Sequence, residues 1–232
     1  EQNLSTWLYD EDKWPSGYGA GRVTDKEIYR GRYLLFSDKE YPDGAFIREK
    51  TPPTRLVLNG KIQKLADYIV KAENGILKEY RLLKKDSQGE EREKLCDHEK
   101  IWRAYLVISG DSSWFNNQTY LDTLNPKAAE EFLRVTHEVY ADSLEEEFSK
   151  SIPMIFTDEP QFILKEALSE NSGITEAGIP YTDDFEATFR KREGMSFLAN
   201  LPKLFWEPED EEDYSFRWKY HEHIAYRFCT GY

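Results

Sequence analysis

The run Ile152-Pro153-Met154-Ile155-Phe156-Thr157-Asp158-Glu159-Pro160 constrains the fold of this chain more than any other stretch. Ile152 to Phe156 reads as a short buried strand that passes directly into two adjacent carboxylates. Pro160 has no N–H and disfavours helix at the residue before it, so strand pairing must stop there. An apolar strand ending in acids is how parallel α/β sheets present chemistry at the carboxyl edge of their strands. If strand geometry persists, Asp158 and Glu159 point to opposite sides. One then faces the mouth of a site and the other braces it. The plain alternative is a pair of solvated loop acids.

The same grammar opens the chain. Leu4 to Tyr9 predicts a strand, followed by Asp10-Glu11-Asp12 and the turn-rich Trp14-Pro15-Ser16-Gly17-Tyr18-Gly19-Ala20-Gly21. Gly17, Gly19 and Gly21 suggest a phosphate loop only superficially. The Lys-Ser/Thr of a P-loop and the spacing of a dinucleotide fingerprint are both absent. Net charge is −13 with a pI near 4.9. Such a field repels a phosphate backbone or an anionic membrane surface, which argues against nucleic acid and lipid as partners. No apolar run reaches the length of a membrane span. Six Trp, fifteen Tyr and thirteen Phe make the chain aromatic for a mean hydropathy of −0.75. That bias suits stacking on the apolar face of a sugar and suits a packed core equally well. Cys96 and Cys229 are far apart in sequence, and two free thiols or one bridge are both open.

Residues 33 to 109 read as an inserted antiparallel β subdomain, between a first strand and loop at 1–32 and an α/β continuation at 110–232. Tyr33 to Phe36 and Arg55 to Leu58 are short apolar strands. Ala66 to Ala72 and Ile76 to Leu83 flank Glu73-Asn74-Gly75, and Asn-Gly between strand-like runs is a strong hairpin signal. Ile101 to Ile108 closes the region. Tyr120-Leu121-Asp122 is a brief strand that again ends in an acid. Asn125 caps, and Pro126 starts, a helix expected to run to Phe148. His137 on that helix reads as a boundary residue. Beyond Pro160 the chain is irregular to Tyr181, a helix follows from Thr182 to Gly194, and a last helix spans about Asp213 to Cys229. His221 and His223 diverge on that helix and do not share a metal with ease.

Taken together, Leu8-Tyr9-Asp10-Glu11, Trp14-Pro15-Ser16-Gly17, Trp114-Phe115-Asn116, Tyr120 to Pro126 and Phe156 to Pro160 occur in an order that resembles the central domain of the α-L-rhamnosidase-like glycoside hydrolases, the family numbered 106. The resemblance implies a (β/α)8 TIM-barrel fold, here partial and carrying the inserted β subdomain, within a larger polypeptide. It implies cleavage of terminal α-L-rhamnosyl or related residues from plant or microbial polysaccharides, outside the cell or in the periplasm. It also implies Glu159 as general acid, with Asp10, Glu11, Asn116, Asp122 and Asp158 as sugar or supporting contacts and Trp14 and Trp114 as stacking platforms. Calcium is associated with the family, but its ligands match no positions in this chain.

The mechanism that follows is carboxylate acid/base catalysis. Glu159, partly desolvated among aromatic walls, donates a proton to the glycosidic oxygen. A second carboxylate activates water, with Glu11 or Asp10 the best placed by strand-end position. Neighbouring Asp158 and Glu159 diverge and do not form the pair that glycoside hydrolysis needs. Two other classes fit the same residues. One is a catalytically inactive carbohydrate-binding fragment. The other is a metal-dependent hydrolase using Asp10, Asp122 and Asp158 as oxygen ligands.

Overall fold

The structure, a computed structural model, describes residues 4–47, 59–83, 94–163, 165–168, 175–209 and 214–231. The expected strand at Arg55 to Leu58 lies outside the described residues. The dominant element is a six-stranded antiparallel sheet. It is built from β2 (Arg32–Ser37), β3 (Phe46–Ile47), β4 (Gly60–Glu73), β5 (Ile76–Leu82), β6 (Glu99–Ser109) and β8 (Glu176–Pro180). Strand order is β3-β4-β6-β2-β8, and the long β4 holds β3 near its start and β5 near its end. The hairpin from β4 to β5 turns through Asn74 and Gly75, both at positive φ, as the Asn-Gly pair predicts. A bulge in β4 between Lys64 and Ala66 shifts its register against β6.

The sheet is central because both of its faces are apolar. Along β2, Leu34 and Phe36 face one layer while Tyr33 and Leu35 face the other. All six residues of β2 are buried. The larger core lies on the Leu34 face, where Trp102, Tyr68 and Phe36 meet α3 (Phe185–Glu193), α4 (Phe197–Asn200) and α5 (Ser215–Gly231). Phe36 stacks on Trp102 at 5.2 Å and on Phe205 at 4.5 Å between ring centroids. Much of the aromatic content is therefore core, while Trp7, Trp114 and Trp218 are exposed.

A second, smaller sheet has only β1 (Leu8–Tyr9) and β7 (Ile155–Phe156), paired in parallel with Leu8 opposite Ile155 and Tyr9 opposite Phe156. Between them in sequence lie α1 (Pro126–Val135) and α2 (His137–Leu144), where a single helix to Phe148 was expected. Asn125 caps α1 through its side chain and Pro126 opens it. The helix breaks at Thr136, whose φ is −121° and whose hydroxyl bonds back to the Phe132 carbonyl at 2.6 Å.

The (β/α)8 expectation is overturned. The described residues form one antiparallel sheet and one parallel pair, with no run of alternating strands and helices. The segment expected to be irregular up to Tyr181 contains β8, which joins the antiparallel sheet on β2. Tyr120-Leu121-Asp122 forms only an isolated bridge from Leu121 to Arg30. A local apolar run ending in an acid does not by itself make a strand, and pairing partners are settled by faces that meet across the whole chain.

Candidate functional site

The parallel register of β1 and β7 carries both acidic strand ends to the same edge. Asp10-Glu11 leave β1 just beyond Tyr9, and Asp158-Glu159 leave β7 two residues beyond Phe156. The four carboxylates then divide into two that face inward and two that face out.

Asp10 is the hub that ties the two strand ends together. Its buried carboxylate accepts from Ser16 Oγ at 2.7 Å and Thr157 Oγ1 at 2.7 Å, and lies 2.9 Å from His137 Nε2. Burial alone raises its pKa, but the hydrogen bonds from His137, Thr157 and Ser16 outweigh burial and hold it below the ordinary value. Ser16 Oγ also accepts from the Asp158 N–H at 2.8 Å, so Asp10 positions the β7 loop through one intermediate. Sequence reasoning missed this role for Ser16, His137 and Thr157. His137 is 127 residues from Asp10, and no local signal links them.

Glu11 explains two of the three glycines. Its carboxylate accepts from the backbone N–H groups of Asp12 at 2.8 Å, Gly17 at 3.1 Å and Gly19 at 2.7 Å. Gly17 and Gly19 have φ of 119° and 56°, which suits glycine. The loop thus wraps an anion, as a phosphate loop does, but the anion is its own chain's carboxylate. Burial pushes the Glu11 carboxyl up to about 7 and Asp12 adds to the rise, while the Gly19 N–H opposes it. Glu11, Asp12, Arg22, Thr136, Val139 and Tyr140 line an open groove of ≈ 270 Å³ beside this edge.

Asp158 and Glu159 are left for the outside. Asp158 is half-buried and accepts from the exposed Tyr9 hydroxyl at 3.3 Å. The Tyr9 and Phe156 rings lie 5.6 Å apart, both exposed, and with Trp7 they line a shallow depression. Glu159 is exposed, with no hydrogen bond or ion pair among the described residues. The partial desolvation expected for it is not found. Its φ is +43°, in front of a proline. That conformation costs about 1–3 kcal/mol for a non-glycine residue and persists where neighbours enforce it.

The remaining predicted residues are scattered. Trp114 is exposed, donates its Nε1–H to the Trp14 carbonyl at 2.9 Å and meets the Trp14 ring edge-on at 6.4 Å. Lys13 Nζ sits 5.2 Å from the Trp114 ring centroid. Asn116 is exposed at φ 54°, closing the short 3-10 turn of Ser113–Phe115. Asp122 takes no part in the β1–β7 edge. It is buried, accepts from Thr182 Oγ1 and from the Leu124 N–H, and borders a narrow, partly open cleft of ≈ 40 Å³ with Arg32 and Gln161. That space suits a water molecule or two and is too small for a sugar. Burial pushes the Asp122 carboxyl up to about 7, against Thr182 and Arg32.

Among the described residues no group of three or more metal-ligating side chains converges. Asp10 and Asp122 spend their oxygens on protein donors, so the trio Asp10, Asp122 and Asp158 does not assemble as a cation site, and calcium finds no donor set there. Cys96 and Cys229 are both exposed and unpaired. No helix among the described residues is long and apolar enough to cross a membrane. Comparison with models of known families, with curated proteins and with solved structures finds no match for the chain.

Proposed function

We propose that the carboxyl edge of β1 and β7 binds carbohydrate and that the chain acts as a glycoside hydrolase, with Glu159 as the proton donor. The observation that carries this reading is the parallel pairing, which gathers four carboxylates from two distant strand ends. Asp10 and Glu11 brace the edge from inside through six contacts of 3.1 Å or less, three to each carboxylate, in which both groups act as acceptors. Asp158 and Glu159 remain for a ligand.

The Tyr9 and Phe156 rings offer an apolar platform, and the Asp158 carboxylate beside them accepts from sugar hydroxyls. A sugar seated on the platform shields Glu159 from water, so desolvation of the acid arrives with the substrate. Glu159 protonates the glycosidic oxygen as the bond to the anomeric carbon breaks. Water adds to the anomeric carbon and its proton passes to solvent, because Glu11 and Asp10, the bases expected from strand-end position, have their oxygens turned to protein donors. Terminal α-L-rhamnosyl residues are the substrate class that the motif resemblance favours.

The test is turnover of an aryl α-L-rhamnoside by the chain and by Glu159→Gln, together with sugar binding by calorimetry. Loss of turnover by about 100-fold or more in the variant, with sugar binding retained, supports the assignment. Binding without turnover in the parent chain points to the non-catalytic carbohydrate-binding alternative. Absence of both binding and turnover in the parent chain overturns the proposal.

A further inference from the structure

Helices α3 and α5 pack through aromatic rings, and His223 stands inside that contact. Its imidazole is 1 % exposed. The rings of Phe185 and Phe189 lie 4.9 and 5.4 Å away, both nearly perpendicular to it. Nε2 is 3.1 Å from Thr188 Oγ1. That hydroxyl donates to the Asp184 carbonyl at 3.0 Å, so it accepts from the imidazole and the proton sits on Nε2. Nδ1 is buried and has no hydrogen-bond partner.

The neutral ring tolerates this, because an unpaired lone pair among apolar groups costs little beside an unpaired cation. A proton on Nδ1 creates a donor with no acceptor. The charged groups around it make matters worse. Arg192 on α3 and Arg227 on α5 both oppose a positive charge, and Asp184, the residue before α3, favours it. The Asp184 carboxylate is already engaged by both terminal nitrogens of Arg227, at 3.0 and 2.8 Å.

We propose that His223 is an acid-sensitive latch between α3 and α5: proton uptake at Nδ1 drives α5 off the core. Burial, with the two guanidiniums, lowers the imidazole pKa to about 4 in the closed state, against an ordinary 6.5. The sign follows from linkage. Above pH 6.5 both states are neutral and the latch is fully closed. As pH falls from 6.5 towards 4, only the released state takes up the proton, so its population rises about tenfold per pH unit. Release uncovers Phe216, Tyr220 and Ile224. It also withdraws Arg227 from the Leu124 carbonyl, its tie to the segment that carries Asp122.

The test is hydrogen exchange of the α5 amides in the full chain between pH 7.5 and 5, corrected for intrinsic rates. Protection should fall about tenfold per pH unit below 6.5 in the parent and stay level in His223→Phe and His223→Gln. An NMR titration of the parent adds a readout that needs no variant: the folded His223 ring should stay neutral at pH 5. Level protection in the parent, equal slopes in parent and variants, or a folded-state titration near 6.5 each overturns the proposal. Should neither variant fold, the titration decides alone.

Discussion

Asp122→Asn should stabilise this protein at neutral pH and flatten part of its pH dependence. The folded carboxyl stands at about 7 against an ordinary 3.8 because burial penalises its charge. At 1.36 kcal/mol per unit, the cost of holding it ionised reaches about 4 kcal/mol. Asparagine keeps the shape. Its carbonyl accepts from the Leu124 N–H, and the Thr182 hydroxyl turns to accept from the new amide. Arg32 keeps its bond to Asp183 at 2.8 Å. The sign is fixed by proton counting: between pH 3.8 and 7 the folded state holds more protons at this site than the unfolded state, so its contribution falls as pH rises. Glu11, also raised to about 7, slopes the same way, and His223, lowered to about 4, slopes the other way below 6.5. Both are common to parent and variant, so the difference between the two isolates residue 122. Urea unfolding followed by tryptophan fluorescence at pH 4, 5, 6, 7 and 8 should show that difference growing from near zero to about 2–4 kcal/mol. A variant less stable than the parent at pH 8, by an amount that does not change with pH, refutes the reasoning. It would mean that the charge is net favourable in the fold.

Two further substitutions test the loop that frames the proposed site, and a third, at the end of α3, serves as the reference for one of them. Glu11→Ala leaves the N–H groups of Asp12, Gly17 and Gly19 without their acceptor, and the urea midpoint should report a loss of about 2–3 kcal/mol. A loss below about 0.5 kcal/mol would show that Glu11 does not anchor the loop. Gly21→Ala places a methyl 1.6 Å from Gln118 Oε1, the acceptor for the Tyr18 hydroxyl, at a φ of +77°. Gly194→Ala meets nothing within 4 Å at a similar φ of +72°. The second should cost about 1 kcal/mol from backbone strain alone, and the first at least another 1 kcal/mol, read as paired thermal unfolding curves. Equal losses would show that Gln118 moves aside freely.

Local order was legible in the residues. Asn74-Gly75 marks its hairpin because only a few residue types accept two successive positive φ angles. Asn125-Pro126 marks a helix start because the side-chain cap and the missing N–H act within one turn. Gly194 stops α3 at a φ of +72°. The sheet around β2 announced itself through an unbroken apolar run. Less legible was the break at Thr136, where the apolar stripe on either side argued for one helix.

The sequence by itself thus determined the hairpin, the start of α1 and the stop of α3, and that two strands end in paired acids, since these depend on neighbours a few residues apart. Only the tertiary structure decided what those acids do. Asp10 meets His137 and Thr157 across 127 and 147 residues, Asp122 is buried against Thr182, and Glu159 faces water. It also decided that β8 completes an antiparallel sheet and that no alternating barrel forms among the described residues. Burial and pairing are set by which faces meet once the chain is compact, and a carboxylate's charge, reach and role follow from that environment.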